Sequence, residues 1–305
     1  MNSEIQKLDA LLAQVRNLPP LSNGVSQLLA LNANDPALTE KVKEIVQADP
    51  AIAAQILKVA NSAAFTGQQV VDTVERAIMR VGVRMVTGAI AQTQMSKAFD
   101  PSSEVMGAIW FMNLLSADFA KALAERCPAA GVEPDTAYTY GLLHDVGRLV
   151  MAAMLGPKMM ELLDEAPPLR TDLVRRERAL YGYDHMTAGR LLGNRWRLPA
   201  EMTLVIAAHH LPPAERQGCP PSVVRMIDFL ALVDEVVHLA VTRAENLEDV
   251  AAALTTSLAA PELRAVCEQW KIDEAAILGA LKTALEEADR QRRMLGVKKH
   301  DPATK

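Results

Sequence analysis

The sequence predicts an all-α protein, on three observations. The helix formers Ala, Leu, Glu, Lys, Arg and Met outnumber Val, Ile and Thr across the 305 residues. Apolar residues recur at spacings of three and four, the period of one helix face. Pro, Gly and Asn-Asp pairs punctuate those stripes at short intervals, as loops between packed helices would.

Taken in order, Leu8, Leu11, Leu12 and Val15 form the first stripe, which stops before Pro19-Pro20. Val25, Leu28 and Leu29 place a helix at about 22–31, and Asn34-Asp35-Pro36 is a turn. Leu38, Val42, Ile45 and Val46 make the third stripe, ended by Asp49-Pro50. Ile52, Ile56, Leu57 and Val59 make the fourth, ending near Asn61-Ser62. A helix over 73–81 is stopped by Gly82, and another covers 85–99. Asp100-Pro101-Ser102-Ser103 is a boundary with an N-cap signal for a long helix to about Arg126. After a linker at 128–134, one helix is expected over 135–155. The charged stretch 167–184 is expected to be partly helical, and helices follow at about 185–196, 200–210 and 222–242. The last part holds helices at 247–258, 261–270 and 273–295, with a disordered tail beyond Lys298. This organisation predicts three parts: a helical bundle at 1–100, a second bundle at 101–240, and C-terminal helices with a basic tail at 241–305.

Composition excludes several function classes. Half the residues are apolar and 23% are charged, so a sizeable core is expected. Lys and Arg number 32 against 37 Asp and Glu, a net charge of −5, which argues against broad nucleic-acid binding. The three cysteines, Cys127, Cys219 and Cys267, are far apart and form no CxxC pair, which fits a reducing compartment. No signal-peptide core opens the chain, and no apolar run reaches the roughly 18 residues of a membrane span. A soluble, cytoplasmic protein with no membrane partner is expected. There is no GxxxxGK[ST] loop, no GxGxxG and no GxSxG elbow. Arg170, Arg175, Arg176 and Arg178 are interrupted by Asp172 and Glu177, and Arg290, Arg292, Arg293, Lys298 and Lys299 lack aromatic partners. Both sets read as solvated faces.

Candidate chemistry rests on histidines. His144-Asp145 lies inside LLHDVGRL, read here as helical. A metal held by imidazole and carboxylate activates water at neutral pH and polarises a phosphoryl oxygen. The plain alternative is a core histidine capped by its neighbour. His185 follows Asp184, which alone would serve as a helix N-cap. His209-His210 ends a helix, where imidazole is favourable in any case. Asp234 and His238 share one helix face at i and i+4. Gly141 and Gly147 bracket the His-Asp pair, each unfavourable in a helix by about 1 kcal/mol, which suggests close approach of a neighbouring helix.

The order of these residues, together with LPPLSNGV at 18–25, DPAIAAQILKVANSAAF at 49–65, AIMRVG at 77–82, YGYDHMTAGRLLGNRWRLP at 181–199 and AAHH at 207–210, resembles the HDOD family. The resemblance covers about 18–239. HDOD domains look like relatives of HD-type metal-dependent phosphohydrolases that serve as signalling output modules. The resemblance implies an HD-like bundle at 101–240. It also implies a candidate metal-ligand set of His144, Asp145, His185, His209, His210 and Asp234, for iron, manganese or zinc. The first His of that set would stand in a W-R-H-S context. Here the string is WFMN, so Met112 takes its place, and a thioether is a poor ligand for a hard divalent ion. The HHExxDGxGYP string of HD-GYP phosphodiesterases is absent, since LPPAERQGCPP follows His210. The resemblance therefore does not extend to cyclic-di-GMP hydrolysis of that type.

The expected function is a catalytically degenerate signal-transduction output or scaffold module. Its partners would be signalling proteins or a second copy of the chain, with input from another chain or a ligand. A metal-dependent phosphohydrolase is the alternative, and an RNA-associated regulator using the basic tail is a weaker one.

Overall fold

The apolar stripes fold as helices, and no strand occurs among the described residues. The computed structural model describes residues 2–21, 23–31, 36–48, 50–61, 70–100, 102–164, 170–242 and 247–295. The expected tail disorder beyond Lys298 lies outside them.

The first part contains α1 (Asn2–Asn17), α2 (Asn23–Ala30), α3 (Ala37–Ala48), α4 (Pro50–Ala60), α5 (Val74–Val81) and α6 (Val83–Ala98). Thr73 caps α5 by accepting from the Arg76 N–H, and Gly82 turns the chain into α6 at φ 82°. The apolar faces of these helices meet in a core that includes Leu28, Val42, Ile56 and Ile90, all fully buried. That core is continuous with the rest of the molecule. Polar contacts lock the junction. Ser26 Oγ donates to the Trp196 carbonyl at 2.6 Å, Trp196 Nε1 donates to the Pro19 carbonyl at 3.0 Å, and Phe99 meets the Trp196 ring edge-on.

The second part is built on α7 (Glu104–Arg126), which Ser103 caps by accepting from the Met106 N–H. Around it stand α8 (Pro134–Leu143), α9 (Val146–Leu155), α10 (Pro157–Asp164), α11 (Arg170–Tyr181), α12 (His185–Arg195), α13 (Ala200–Ala208) and α14 (Pro221–Thr242). The last part holds α15 (Leu247–Ser257), α16 (Pro261–Trp270) and α17 (Glu274–Leu295). α17 packs along α7, and α15 and α16 pack on α14, so these helices cap the second bundle. No helix among the described residues is long and apolar enough to cross a membrane.

Two expectations need correction. The helix expected over 135–155 is two helices, broken at His144-Asp145. Asp145 adopts φ −97°, ψ 14°, a bridge conformation that re-aims the chain. Two backbone contacts hold the break. A Cβ on Gly141 would stand 2.6 Å from the Ser116 carbonyl oxygen of α7, and one on Gly147 would stand 1.9 Å from the His185 carbonyl oxygen of α12. Both glycines therefore serve close helix approach, as their positions suggested. The second correction is α10, which lies in a stretch left without an element, because its eight residues carry only a short apolar pattern.

Candidate metal centre

The break between α8 and α9 delivers His144 and Asp145 to the same interior point. The start of α12 brings His185, the residues just past α13 bring His209 and His210, and the middle of α14 brings Asp234. Asp184 is the N-cap of α12, accepting from the Thr187 N–H at 2.7 Å, and this places His185 in the first turn. Arg178 Nε donates to the same carboxylate, so this member of the arginine cluster has a local structural role.

All six candidate ligands converge in two overlapping groups. Asp145, His185, His209 and His210 form one, and His144, His209 and Asp234 form the other. Within the first group, Asp145 Oδ1 lies 3.4 Å from both His185 Nε2 and His209 Nε2, and those two nitrogens are 3.3 Å apart. In the second, His144 Nε2 lies 2.9 Å from Asp234 Oδ1. For bonds of about 2.1 Å, two donors on one ion stand about 3.0 Å apart at a right angle and about 3.4 Å apart at a tetrahedral angle. The observed separations fall on those edges. The six side chains are at most 5% exposed. His238 is buried one turn beyond Asp234 but joins neither group.

Hydrogen bonds fix which ring nitrogens face inward. His144 Nδ1–H donates to the Gly141 carbonyl at 2.9 Å, and His209 Nδ1–H donates to the Ile206 carbonyl at 3.0 Å. His185 Nδ1–H donates to Glu177 Oε2 at 2.6 Å, and its backbone N–H donates to the same oxygen at 2.9 Å. In a neutral ring the opposite nitrogen then carries a lone pair. Burial holds the His209 imidazole below its ordinary value against the pull of Asp145. Burial together with His209 holds His210 well below. Burial also pushes Asp145 up, but the neighbouring Arg148 guanidinium and His144 outweigh it, so the carboxyl stays well below the usual range. For His144, burial favours the neutral ring, and Asp234 and Asp145 reverse that and raise it. Asp145 Oδ1, His185 Nε2 and His209 Nε2 thus face one another, and Asp145 Oδ1 and His210 Nε2 have no hydrogen-bond partner by geometry. Buried nitrogen and oxygen donors in that arrangement could hold a cation. The donor set, nitrogen and carboxylate oxygen, fits a divalent transition metal.

The sequence reading missed two residues at this centre. Glu177 of α11 is fully buried and orients His185 in the manner of a carboxylate–histidine–metal relay. Arg148 of α9 is 1% exposed and places Nη1 3.1 Å from Asp145 Oδ2. Met112 is buried on α7, which packs on α8, α9 and α14. A groove of about 350 Å³ is lined by Tyr140, Glu201, Val205 and Arg225 among others, and none of the six candidate donors lines it. Tyr140 precedes His144, and Val205 precedes His209, by one helical turn on the same face. Burial and Glu201 push the Tyr140 hydroxyl up to about 12.

Residues 18–212 match the HDOD domain model. This chain belongs to the HDOD family. The matched HDOD region begins where the motifs begin and stops before α14, so it holds every candidate ligand except Asp234. An uncharacterised protein of Treponema pallidum (strain Nichols) is 25% identical to this HDOD chain over 231 residues, 72% of this chain and 44% of that protein. The chain thus spans less than half the length of that relative. Among solved structures, an HDOD domain protein of unknown function from Geobacter sulfurreducens is similar at TM-score 0.68 and 21% identity, covering 94% of this chain and 99% of its own. A candidate phosphohydrolase from Shewanella amazonensis SB2B is similar at TM-score 0.64 and 20% identity, with coverage of 94% and 98%. These likenesses establish the all-α HDOD fold.

Proposed function

We propose that this HDOD protein is a signal-transduction output module that acts through contacts with other proteins. Its His/Asp centre would hold a divalent metal as part of its interior rather than turn over a substrate. The observation that carries this reading is burial. All six candidate donor side chains are at most 5% exposed, whereas a hydrolytic ion must be reached by its phosphoester. The methionine at position 112, where HD hydrolases would offer a further histidine, points the same way. A divalent ion held there would supply Lewis acidity and fixed positive charge. Its ligands would come from among His144, Asp145, His185, His209, His210 and Asp234, and Glu177 would keep His185 in its ligating tautomer. The three free cysteines fit a reducing, cytoplasmic setting.

A second reading, a metal-dependent phosphohydrolase, is favoured by the convergence of the six candidate donors. Elemental analysis of protein purified without chelators or a nickel column, followed by phosphoester screens with added Mn²⁺ or Fe²⁺, separates the two. Bound metal that His144→Ala/Asp145→Ala abolishes, with no turnover of nucleotides, cyclic dinucleotides or generic phosphoesters, is the expected result. Turnover that rises with metal loading and vanishes in Asp145→Asn overturns the module reading in favour of the hydrolase. Iron, manganese and zinc are the ions the donor set would take.

A further inference from the structure

We propose that this centre is built for one divalent ion, because Arg148 supplies from within the chain the positive charge that a second ion would bring. The proposal rests on the metal reading above and concerns how many ions the site accepts. The two donor groups share His209, and Asp145 Oδ2 of the first lies 3.7 Å from His144 Nε2 of the second. A carboxylate that bridges two ions gives one oxygen to each. Here Oδ1 faces His185 and His209, both at 3.4 Å. Oδ2 faces Arg148 Nη1 at 3.1 Å, closer than His144 Nε2 at 3.7 Å.

The guanidinium has no other evident purpose. It is 1% exposed, and Nε, Nη1 and Nη2 make no hydrogen bond. A buried arginine normally spreads its five N–H groups over several acceptors. This one meets the centre chiefly through its charge. Its position follows from the chain break: the Arg148 N–H donates to the Asp145 carbonyl at 2.9 Å, and that first turn of α9 brings the side chain back over the Asp145 carboxylate.

Charge balance gives the same count. The buried carboxylates touching the centre are Asp145, Glu177 and Asp234, and Arg148 is the cation beside them. Histidines that ligate a metal are neutral, and with that count the cluster carries two net negative charges. One divalent ion neutralises it. A second would leave two net positive charges in a dry interior, which is strongly unfavourable. Without Arg148 the cluster carries three negative charges, and two ions would leave only one uncompensated positive charge.

The test is metal stoichiometry of the full chain loaded with Mn²⁺, by elemental analysis and by the electron paramagnetic resonance spectrum, in which a coupled pair differs from an isolated ion. The wild-type chain is expected to hold one ion, Arg148→Lys one, and Arg148→Gln two with the spectrum of a coupled pair. Arg148→Met, also neutral, serves if Arg148→Gln does not fold by circular dichroism. Two ions in the wild type overturn this proposal while leaving the metal reading intact. One ion in a folded neutral variant also overturns it. No ion in the wild type overturns the metal reading and this proposal together.

Discussion

The two bundles differ in what they bury. In residues 1–100 the described buried polar side chains are Ser26, Thr87 and Gln92, all uncharged. Between 101 and 240 the interior takes in His144, Asp145, Arg148, Glu177, His185, His209 and Asp234 within a single cluster. Burying apolar surface drives folding, whereas burying charge opposes it unless something compensates. The first part therefore has no buried charge to compensate among its described residues. The second carries a polar interior whose stability would depend on what the proposed metal site holds.

The largest expected effect breaks this comparison on the apolar side. Ile56→Ala removes a fully buried side chain and should destabilise by about 2–5 kcal/mol. Because Ile56 belongs to the first bundle, the loss in thermal unfolding should be the same with Mn²⁺ and with a chelator. A loss that depends on metal would mean that the two bundles are one energetic unit.

The next effect concerns the polar side. A bound ion should stabilise the chain by about 3–4 kcal/mol when free ion exceeds the dissociation constant a hundred- to thousand-fold. His209 belongs to both donor groups, so His209→Ala should remove that gain entirely. Melting temperature measured with Mn²⁺ and with chelator should differ in the wild type and coincide in the variant. Equal melting temperatures in the wild type would place the stability of the second bundle in packing alone.

Gly147→Ala tests the joint between packing and site. Its Cβ would meet backbone atoms, the His185 carbonyl oxygen at 1.9 Å and the Gly189 nitrogen at 2.6 Å, so α9 and α12 must separate. The expected loss is about 1–3 kcal/mol. Because the displaced backbone is that of His185 itself, weaker Mn²⁺ binding in isothermal titration should accompany it. Unchanged affinity with lowered stability would show that the α9–α12 crossing does not set the ligand geometry.

The sequence made legible what is local. Apolar spacing located nearly every helix, and side-chain caps such as Ser103 and Asp184 marked two starts. The six candidate ligands were nameable only through the resemblance to the HDOD family, and they meet in space. What stayed hidden depends on partners far away in sequence. The Asp145 conformation is held by α7 and α12 through Gly141 and Gly147, so LLHDVGRL read as one continuous helix. Arg148 stood within that quoted string, three residues after Asp145, yet nothing local shows a guanidinium losing its water. Glu177 sat among arginines in a stretch that reads as solvated. Its approach to His185 requires the chain to reverse after α11, where Gly182 adopts φ 78°.

The smallest expected effect, from Glu177→Gln, sharpens the comparison most. Glu177 Oε2 accepts two hydrogen bonds from His185, while Oε1 is buried without one. An amide of the same shape can still accept through its oxygen, so the His185 ring keeps its place. It loses the negative charge that makes the imidazole a stronger ligand. Loss of such a partner lowers metal affinity by about 10–100-fold, or about 1.4–2.7 kcal/mol. In the metal-free protein the same substitution removes one of the uncompensated negative charges, so its melting temperature should hold steady or rise. Affinity and metal-free stability thus move apart. A glutamate that merely packed α11 against α12 would instead lower the metal-free melting temperature and leave Mn²⁺ affinity alone. Glu177→Ala supplies the control. It strands two buried donors of His185 and should lower stability by about 1–3 kcal/mol whether or not metal is present.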